Sequence, residues 1–342
     1  MTTEPSSFIN RLKSSCLFFA LLAFCFIVGL GLVTTALSQL GEDQVGVIEQ
    51  SSTEHDPNSS AVAVISLSGV MLRGADGVNE GITQDFLKML KKAQKDPLIK
   101  AVLIRLNTPG GSVTDADLIY HKIQALKASG KPVLLLMDDT CASGGYYAAL
   151  AASEVWALPT TITGSIGVIV SGLNFSKLLT NYGISDESIT SGPNKALFSA
   201  TTAPNPAHRE ILQGIVDQLY QRFLNLLIKG RKLDAAEAKK IADGRVYTAQ
   251  EALKLKLIDK IAYPNEALER VKELSNISGE VRVVRYHVPK SIFSRFSGYL
   301  GFGLDGLEDS TSLKLALEGP RAYYMYAPQG LLWRFMRLIK TH

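Results

Sequence analysis

The stretch AVLIRLNTPGGSVTDADLIYHKIQALKASG, Ala101 to Gly130, decides the fold class. It begins with an apolar, β-branched run of the kind a buried strand requires. It breaks at Pro109-Gly110-Gly111 and continues as an amphipathic helical pattern closed by Gly130. A second buried strand follows at once, VLLLMDD from Val133 to Asp139. A strand, a helical crossover and another strand imply an α/β fold with a mainly parallel sheet.

The same alternation extends both ways. Upstream stand the strand AVAVISLSGVM (Ala61–Met71) and the helical ITQDFLKMLKKAQKD (Ile82–Asp96). Downstream, EVWAL (Glu154–Leu158) and GVIVSG (Gly167–Gly172) read as short strands, and FSKLLTNYG as a helix ending at Gly183. Beyond Pro206 the pattern is predominantly helical. Ile211, Leu212, Ile215, Val216, Leu219, Tyr220, Phe223, Leu224 and Leu227 recur as one apolar stripe, expected to be core. Thr248 and Glu251 in TAQE form a capping box that opens a further helix.

Composition excludes several classes. A net charge of +4, scattered along the chain, is too small to argue for nucleic acid. The three cysteines, Cys16, Cys25 and Cys141, offer neither a disulfide framework nor a CxxC site, and the five histidines hold no HExxH. No metal and no cofactor is therefore expected.

The amino-terminal part divides by charge. Cys16 to Leu37 is uncharged and long enough to span a bilayer as a helix. Arg11 and Lys13 precede it, and only acidic residues follow until Arg73. This bias predicts a cytoplasmic tail over 1–15, a transmembrane anchor over 16–37 and an extracytoplasmic remainder; a cleavable signal peptide ending near Ala36–Ser38 is the competing reading. Residues 38–60 read as a flexible acidic stalk, 61–277 as the main domain and 278–342 as an extension without an assigned role. Within that extension GLLWRFMRLIKTH (Gly330–His342) is basic and amphipathic, suited to a membrane surface or to a neighbouring subunit.

Two glycine-bearing joins carry the chemistry. Paired glycines at Gly110 and Gly111 let backbone N–H groups turn toward an anion; the same residues also make a plain tight turn. In MDDTCASGGYYAALAAS, from Met137, Ser143 stands where a strand meets a small-residue helix. It is either a nucleophile aimed by the join or an N-cap whose hydroxyl satisfies the helix. A nucleophile needs a base. His121 falls mid-helix and is expected to pack there. A buried lysine serves the purpose when desolvation favours its neutral form. Lys195, in the loop SGPNKALFSA, turns apolar immediately after the amine and is the candidate. Cys141 has no stabilising cation adjacent in sequence and reads as a packing residue.

Together these segments resemble the signal peptide peptidase SppA family, which includes the SohB-like proteins. AVLIRLNTPGGSVTDAD resembles the family's strand-and-PGG segment, CASGGYYAALAASEVWALPTTITGSIGVI its nucleophile region, and IADGRVYTAQEALKLKLID its helical signature. The resemblance implies a ClpP/crotonase-type α/β fold of repeated ββα units with a helical C-terminal part. It implies Ser143 as nucleophile and Lys195 as general base of a Ser-Lys dyad, with backbone groups of Gly110, Gly111 and Gly144 at the oxyanion hole. It implies apolar peptide substrates such as released signal peptides and a ring-like homo-oligomer, with the dyad formed either within one chain or across a subunit interface. The chain departs from the family at Ala196-Leu197-Phe198, where an acidic residue and GSP are common, and at Lys256, where glycine is common. Two other functions fit the residues less well: a catalytically silent scaffold of a membrane quality-control complex, and a crotonase-like acyl-CoA enzyme.

Overall fold

The computed structural model describes residues 48–51, 56, 58–73, 81–278, 281–288 and 322–325. The expected cytoplasmic tail, the anchor over 16–37 and the basic end from Gly330 lie outside the described residues. Among the described residues no helix is long and apolar enough to cross a membrane.

The strand–helix alternation is observed. Strand β1 (Ile48–Ser51) is followed by β2 (Ala61–Ser68), helix α1 (Gly81–Lys95), β3 (Ile99–Thr108), β4 (Gly110–Ser112), α2 (Val113–Ala128) and β5 (Val133–Ala142). Then come α3 (Gly144–Ala149), β6 (Glu154–Ala157), β7 (Ile162–Gly164), β8 (Ile169–Val170) and α4 (Ser176–Asn181). The chain continues through α5 (Pro206–Arg231), α6 (Ala235–Ile241), β9 (Val246–Thr248) and α7 (Ala249–Lys254). It reaches β10 (Lys260–Ile261), α8 (Pro264–Leu274), β11 (Arg282–His287) and β12 (Ala322–Met325). One sheet runs in the order β1-β11-β2-β3-β5-β6-β10, with β7 on β5 and β9 on β7. Its central pairs β2–β3, β3–β5 and β5–β6 are parallel. The α/β class is therefore as expected, in a mixed sheet.

Period-2 alternation in each central strand feeds two cores. Ala61, Ala63, Ile65 and Leu67 of β2, Ile104 and Leu106 of β3, and Val133, Leu135 and Met137 of β5 enter a large core with α1, α2, α3 and α5. Val62, Val64, Leu103, Leu134 and Leu136 point the other way, to a smaller core closed by Ala267 and Val271 of α8. Because both faces are covered, these strands read as continuous apolar runs. The end of α1 is closed from a distance: Lys131 Nζ donates to the carbonyls of Ala93, Gln94 and Asp96 at 2.7, 3.1 and 2.5 Å. Helix C-termini leave such carbonyls without helical partners.

Four expectations change. Ile48–Ser51, inside the expected stalk, is a strand paired antiparallel with β11. β11, beyond the expected end of the main domain at 277, pairs parallel with β2 and completes the sheet. GVIVSG yields only the two-residue strand β8. The apolar stripe of α5 is core only in its second half: Phe223, Leu224 and Leu227 are buried, whereas Ile211 and Ile215 are 41% and 42% exposed. The first turns of that helix are only partly covered among the described residues, with Leu212 and Val216 half-buried, so periodicity there marks a face rather than a full burial.

Leu135→Ala and Leu134→Ala, one in each core, are each expected to lose about 2–5 kcal/mol in urea unfolding, because each leaves a cavity in a close-packed layer. Leu118→Ala, on the exposed side of α2, is expected to change stability by less than about 0.5 kcal/mol.

Candidate active site

Strand β5 ends at Ala142, and the next residue carries the strain of the join. Ser143 has φ 52 and ψ −111, a left-handed backbone for a residue with a side chain. Such a conformation costs on the order of 1–3 kcal/mol and persists only where the surroundings impose it. Here they do. The Ser143 N–H donates to the Gly164 carbonyl at 2.8 Å, and its own carbonyl accepts from the Tyr147 N–H at 2.8 Å. β7 pairs with the last residues of β5, Ala142 opposite Gly164. The Thr163 hydroxyl adds a bond to the Cys141 carbonyl at 2.6 Å. Ser143 is 1% exposed, and its hydroxyl makes no capping bond to α3. The N-cap explanation for this serine is thereby removed: it occupies the cap position without performing the cap's work.

The second glycine join lies beside the first. Thr108 at the end of β3 is in register with Cys141, two residues before the serine. A Cβ on Gly145 would meet Thr108 Cγ2 at 2.7 Å and Cys141 Sγ at 3.2 Å, so α3 can lie this close only with glycine there. Gly110 has φ 100, and its N–H donates to Thr108 Oγ1 at 3.1 Å. β4 is bridged on one edge by Met71, whose N–H donates to the Gly110 carbonyl at 2.8 Å and whose carbonyl accepts from the Ser112 N–H at 3.0 Å. A Cβ on Gly111 would stand 2.2 Å from the Met71 carbonyl oxygen. Both glycines are thus demanded by geometry. Of the two, Gly110 has its N–H engaged by Thr108, while Gly111 faces the edge of β4 away from Met71. Gly144, first residue of α3, carries an N–H without an intrahelical partner.

Ion pairs fix these pieces from outside. Arg73 donates through its backbone N–H and Nε to the buried Asp115 carboxylate at 3.0 and 2.6 Å, holding the Met71 segment to the start of α2. Tyr147 sits edge-on to Tyr120 and Phe223, with ring centroids 5.6 and 5.0 Å away. Its hydroxyl donates to Asp117 at 2.5 Å, and Arg222 of α5 donates to Asp117 at 2.6 Å and to the tyrosine oxygen at 3.0 Å. Helices α2, α3 and α5 meet at this cluster, one helical turn beyond Ser143.

The structure sets Ser143 and Gly144, at the start of α3, against Gly110 and Gly111 of β4. Lys195 is exposed, in a segment from Gly172 to Asn205 that is exposed nearly throughout. Its expected desolvation is therefore absent in the single chain, because Ile189, Leu178 and Tyr182 around that segment are themselves uncovered. His121 also differs from expectation: it is exposed on α2 rather than packed. Cys141 is fully buried; burial, with Asp138 as a second cause, pushes its thiol well above the usual range and keeps it protonated. Ser165, a buried serine with φ 49 whose N–H donates to the Arg245 carbonyl at 2.7 Å, was not singled out from sequence. Its signal was the glycine before it, Gly164 at φ 87.

Comparison with known proteins bears on this arrangement. Residues 125–278 match the description "Peptidase family S49". A protein of Enterococcus faecium named for signal peptide peptidase SppA is 32% identical over 275 residues, 78% of each chain. Protease 4 of Haemophilus influenzae is 30% identical over 237 residues, which are 69% of this chain and 38% of that longer one. Among solved structures, a mutant ClpP1 from Listeria monocytogenes has 18% identity and covers 60% of this chain and 94% of its own, with a TM-score of 0.39, too low to identify the fold.

If the left-handed backbone at position 143 is imposed, Ser143→Gly is expected to be about 1 kcal/mol more stable than Ser143→Ala in thermal or urea unfolding, since only glycine adopts it freely. Equal stability of the two variants would remove the strain from the account.

Proposed function

This chain belongs to peptidase family S49 and is a serine peptidase, and we propose that it works as a membrane-anchored endopeptidase on apolar peptides such as released signal peptides, with Ser143 and Lys195 as its dyad. The observation that carries the site is the backbone of Ser143, held left-handed at a strand–helix join beside the glycine strand and free of capping duty. On this reading the neutral Lys195 amine takes the Ser143 hydroxyl proton as the oxygen attacks the scissile carbonyl. The N–H groups of Gly111 and Gly144 hold the developing oxyanion, while Gly110 shapes the turn. Collapse expels the amine fragment, which leaves with the proton from Lys195. Water then attacks the acyl-serine, its proton passing to the same lysine, and releases the second fragment.

Two features support a ring-like homo-oligomer of the ClpP/crotonase type as the working form. Ile211 and Ile215 in the first half of the α5 stripe are exposed, and the segment that bears Lys195 leaves Leu178, Tyr182, Ile184 and Ile189 exposed, the last completely. Large apolar side chains left uncovered in this number are read as an interaction site. Covering it with a second copy would also withdraw Lys195 from water, the condition under which a lysine acts as a base near neutral pH. Anchoring rests on the uncharged run Cys16–Leu37 and the acidic residues after it.

Ser143→Ala and Lys195→Met are each expected to lower kcat/KM on an apolar reporter peptide by about 1,000-fold or more, with little further loss in the double variant, as befits groups acting as one unit. An acylating serine probe is expected to label Ser143; full activity in Ser143→Ala, or labelling elsewhere, overturns the assignment. Ile211→Asp combined with Ile215→Asp is expected to shift the sedimenting species to a smaller size and abolish peptidase activity while far-UV circular dichroism stays unchanged.

A further inference from the structure

Helix α8 covers only part of the sheet face that carries the smaller core. Val62, Val64 and Leu103 pack there with Ala267 and Val271 of the helix. At the first turn of α8 the same face becomes polar. Along β2, Val62 and Val64 give way to Ser66; along β3, Leu103 gives way to Arg105; along β11, Val283 gives way to Arg285 and His287. The register sets Ser66 beside Arg105 and Arg285 beside Val64. Between these strands and the first turn of α8 lies an open groove of about 600 Å³, with Val64, Leu103 and Leu268 among its apolar lining.

The ionisable lining of the groove is all basic: Arg105, Arg285 and His287 line it, and among the described residues no acidic side chain does. Asp138 holds Arg105 through Nη2, at 2.9 and 3.0 Å, and through Nε, at 3.3 Å. That pairing fixes the guanidinium plane and leaves Nη1 to the groove. Arg285 and His287 are exposed, and their side chains make no hydrogen bond or ion pair with a described residue. The residues opposite them on β1, Gln50 and Ile48, carry no charge. Glu266, the acid in the first turn of α8, is committed to the Tyr263 N–H at 2.9 Å and to Lys260 at 3.5 Å. Charges that guard a sheet edge have no use on β11, which is paired on both sides. Two arginines and a histidine beside an apolar lining suit an anion that carries hydrocarbon, and a guanidinium matches phosphate geometry in particular.

The point at which the chain arrives indicates the occupant. β1, whose Ile48 lies opposite His287, begins eleven residues after Leu37, the end of the uncharged run. A chain of that length reaches about 40 Å at most. We propose that this groove binds the phosphate of an anionic phospholipid at the membrane surface. Arg285, His287 and Nη1 of Arg105 meet the phosphate, and the first carbons of the lipid lie against Val64, Leu103 and Leu268. The proposal rests on the membrane-anchored reading given above. An anchor on a tether keeps a domain near the bilayer without setting its orientation. A headgroup held in this groove sets it, and basic residues within a Debye length of an anionic surface add to the attraction.

The full-length chain in a neutral detergent can be titrated by calorimetry with dihexanoyl phosphatidylglycerol, with dihexanoyl phosphatidylcholine and with inorganic phosphate. Arg285→Gln combined with His287→Gln is expected to weaken phosphatidylglycerol binding about tenfold or more. The thermal unfolding midpoint is expected to stay unchanged, because both side chains are exposed. Phosphatidylcholine, whose choline neutralises its phosphate, is expected to bind the natural chain at least about tenfold more weakly than phosphatidylglycerol. Equal phosphatidylglycerol affinity in the natural and doubly substituted chains overturns the proposal, as does equal affinity of the natural chain for the two lipids. Inorganic phosphate bound as tightly as phosphatidylglycerol overturns it too, and makes the groove a site for a soluble anion. Anchoring is tested apart from this, by alkaline extraction of membranes that contain the chain. Release into the soluble fraction sinks the anchored reading, whereas a loss of phosphatidylglycerol binding confined to the substituted chain still establishes the groove as the headgroup site.

Discussion

The hydrogen bond from the Ser143 N–H to the Gly164 carbonyl, 2.8 Å long, is the constraint on which the site depends. It exists because β7 returns alongside the end of β5 rather than leaving the sheet, and β7 is in turn backed by β9. Gly164 keeps its own left-handed backbone with the Tyr247 ring pressed so near that a Cβ would stand 2.6 Å from it. Tyr247 is tied through its hydroxyl to the Ile241 carbonyl at 2.8 Å. A residue forced into an unfavourable backbone conformation is thereby held from a strand, a glycine, an aromatic ring and a helix end, each of which would have to move before it relaxed. Strain at a functional residue is stable only when its surroundings over-determine it, and these do.

The layered architecture was legible in the sequence because both faces of the central strands are apolar, and Ala61–Leu67, Ala101–Leu106 and Val133–Met137 advertise that directly. The capping box at Thr248 and Glu251 was equally legible, since it needs only two side chains three residues apart. Ser143 was legible as a join but not as an uncapped serine, because φ at one residue leaves no mark on composition. The position of β11 between β1 and β2 was not legible: pairing between residues some two hundred apart is decided by which edge remains open, and no local pattern records that. For the same reason Lys131 gave no hint that it would close a helix ending more than thirty residues earlier.

The burial of α5 is the most instructive divergence. A stripe of apolar residues states that a helix has a face and is silent on what meets it. Phe223, Leu224 and Leu227 join the core that holds α3 and the tyrosine cluster, whereas Ile211 and Ile215 stay uncovered among the described residues. The exposed first turns of the helix follow directly on the Lys195 segment in the chain. Serine and lysine therefore belong to different regimes within one chain, the first fixed by internal packing and the second on a surface whose burial depends on what covers it.

The place of β11 also carries a consequence for how the chain acquires its shape. It lies between two strands, β1 and β2, that precede it by far in the sequence. As the polypeptide is synthesised from its amino terminus, β2, β3 and β5 are available long before residues 282–287 emerge, and the outer edge of β2 stays open meanwhile. An apolar strand with an unpaired edge is a template for association with other chains. The nascent protein thus passes through an interval in which its sheet is nearly complete yet unsealed, and whatever shields the edge of β2 during that interval governs how much of the product folds rather than aggregates.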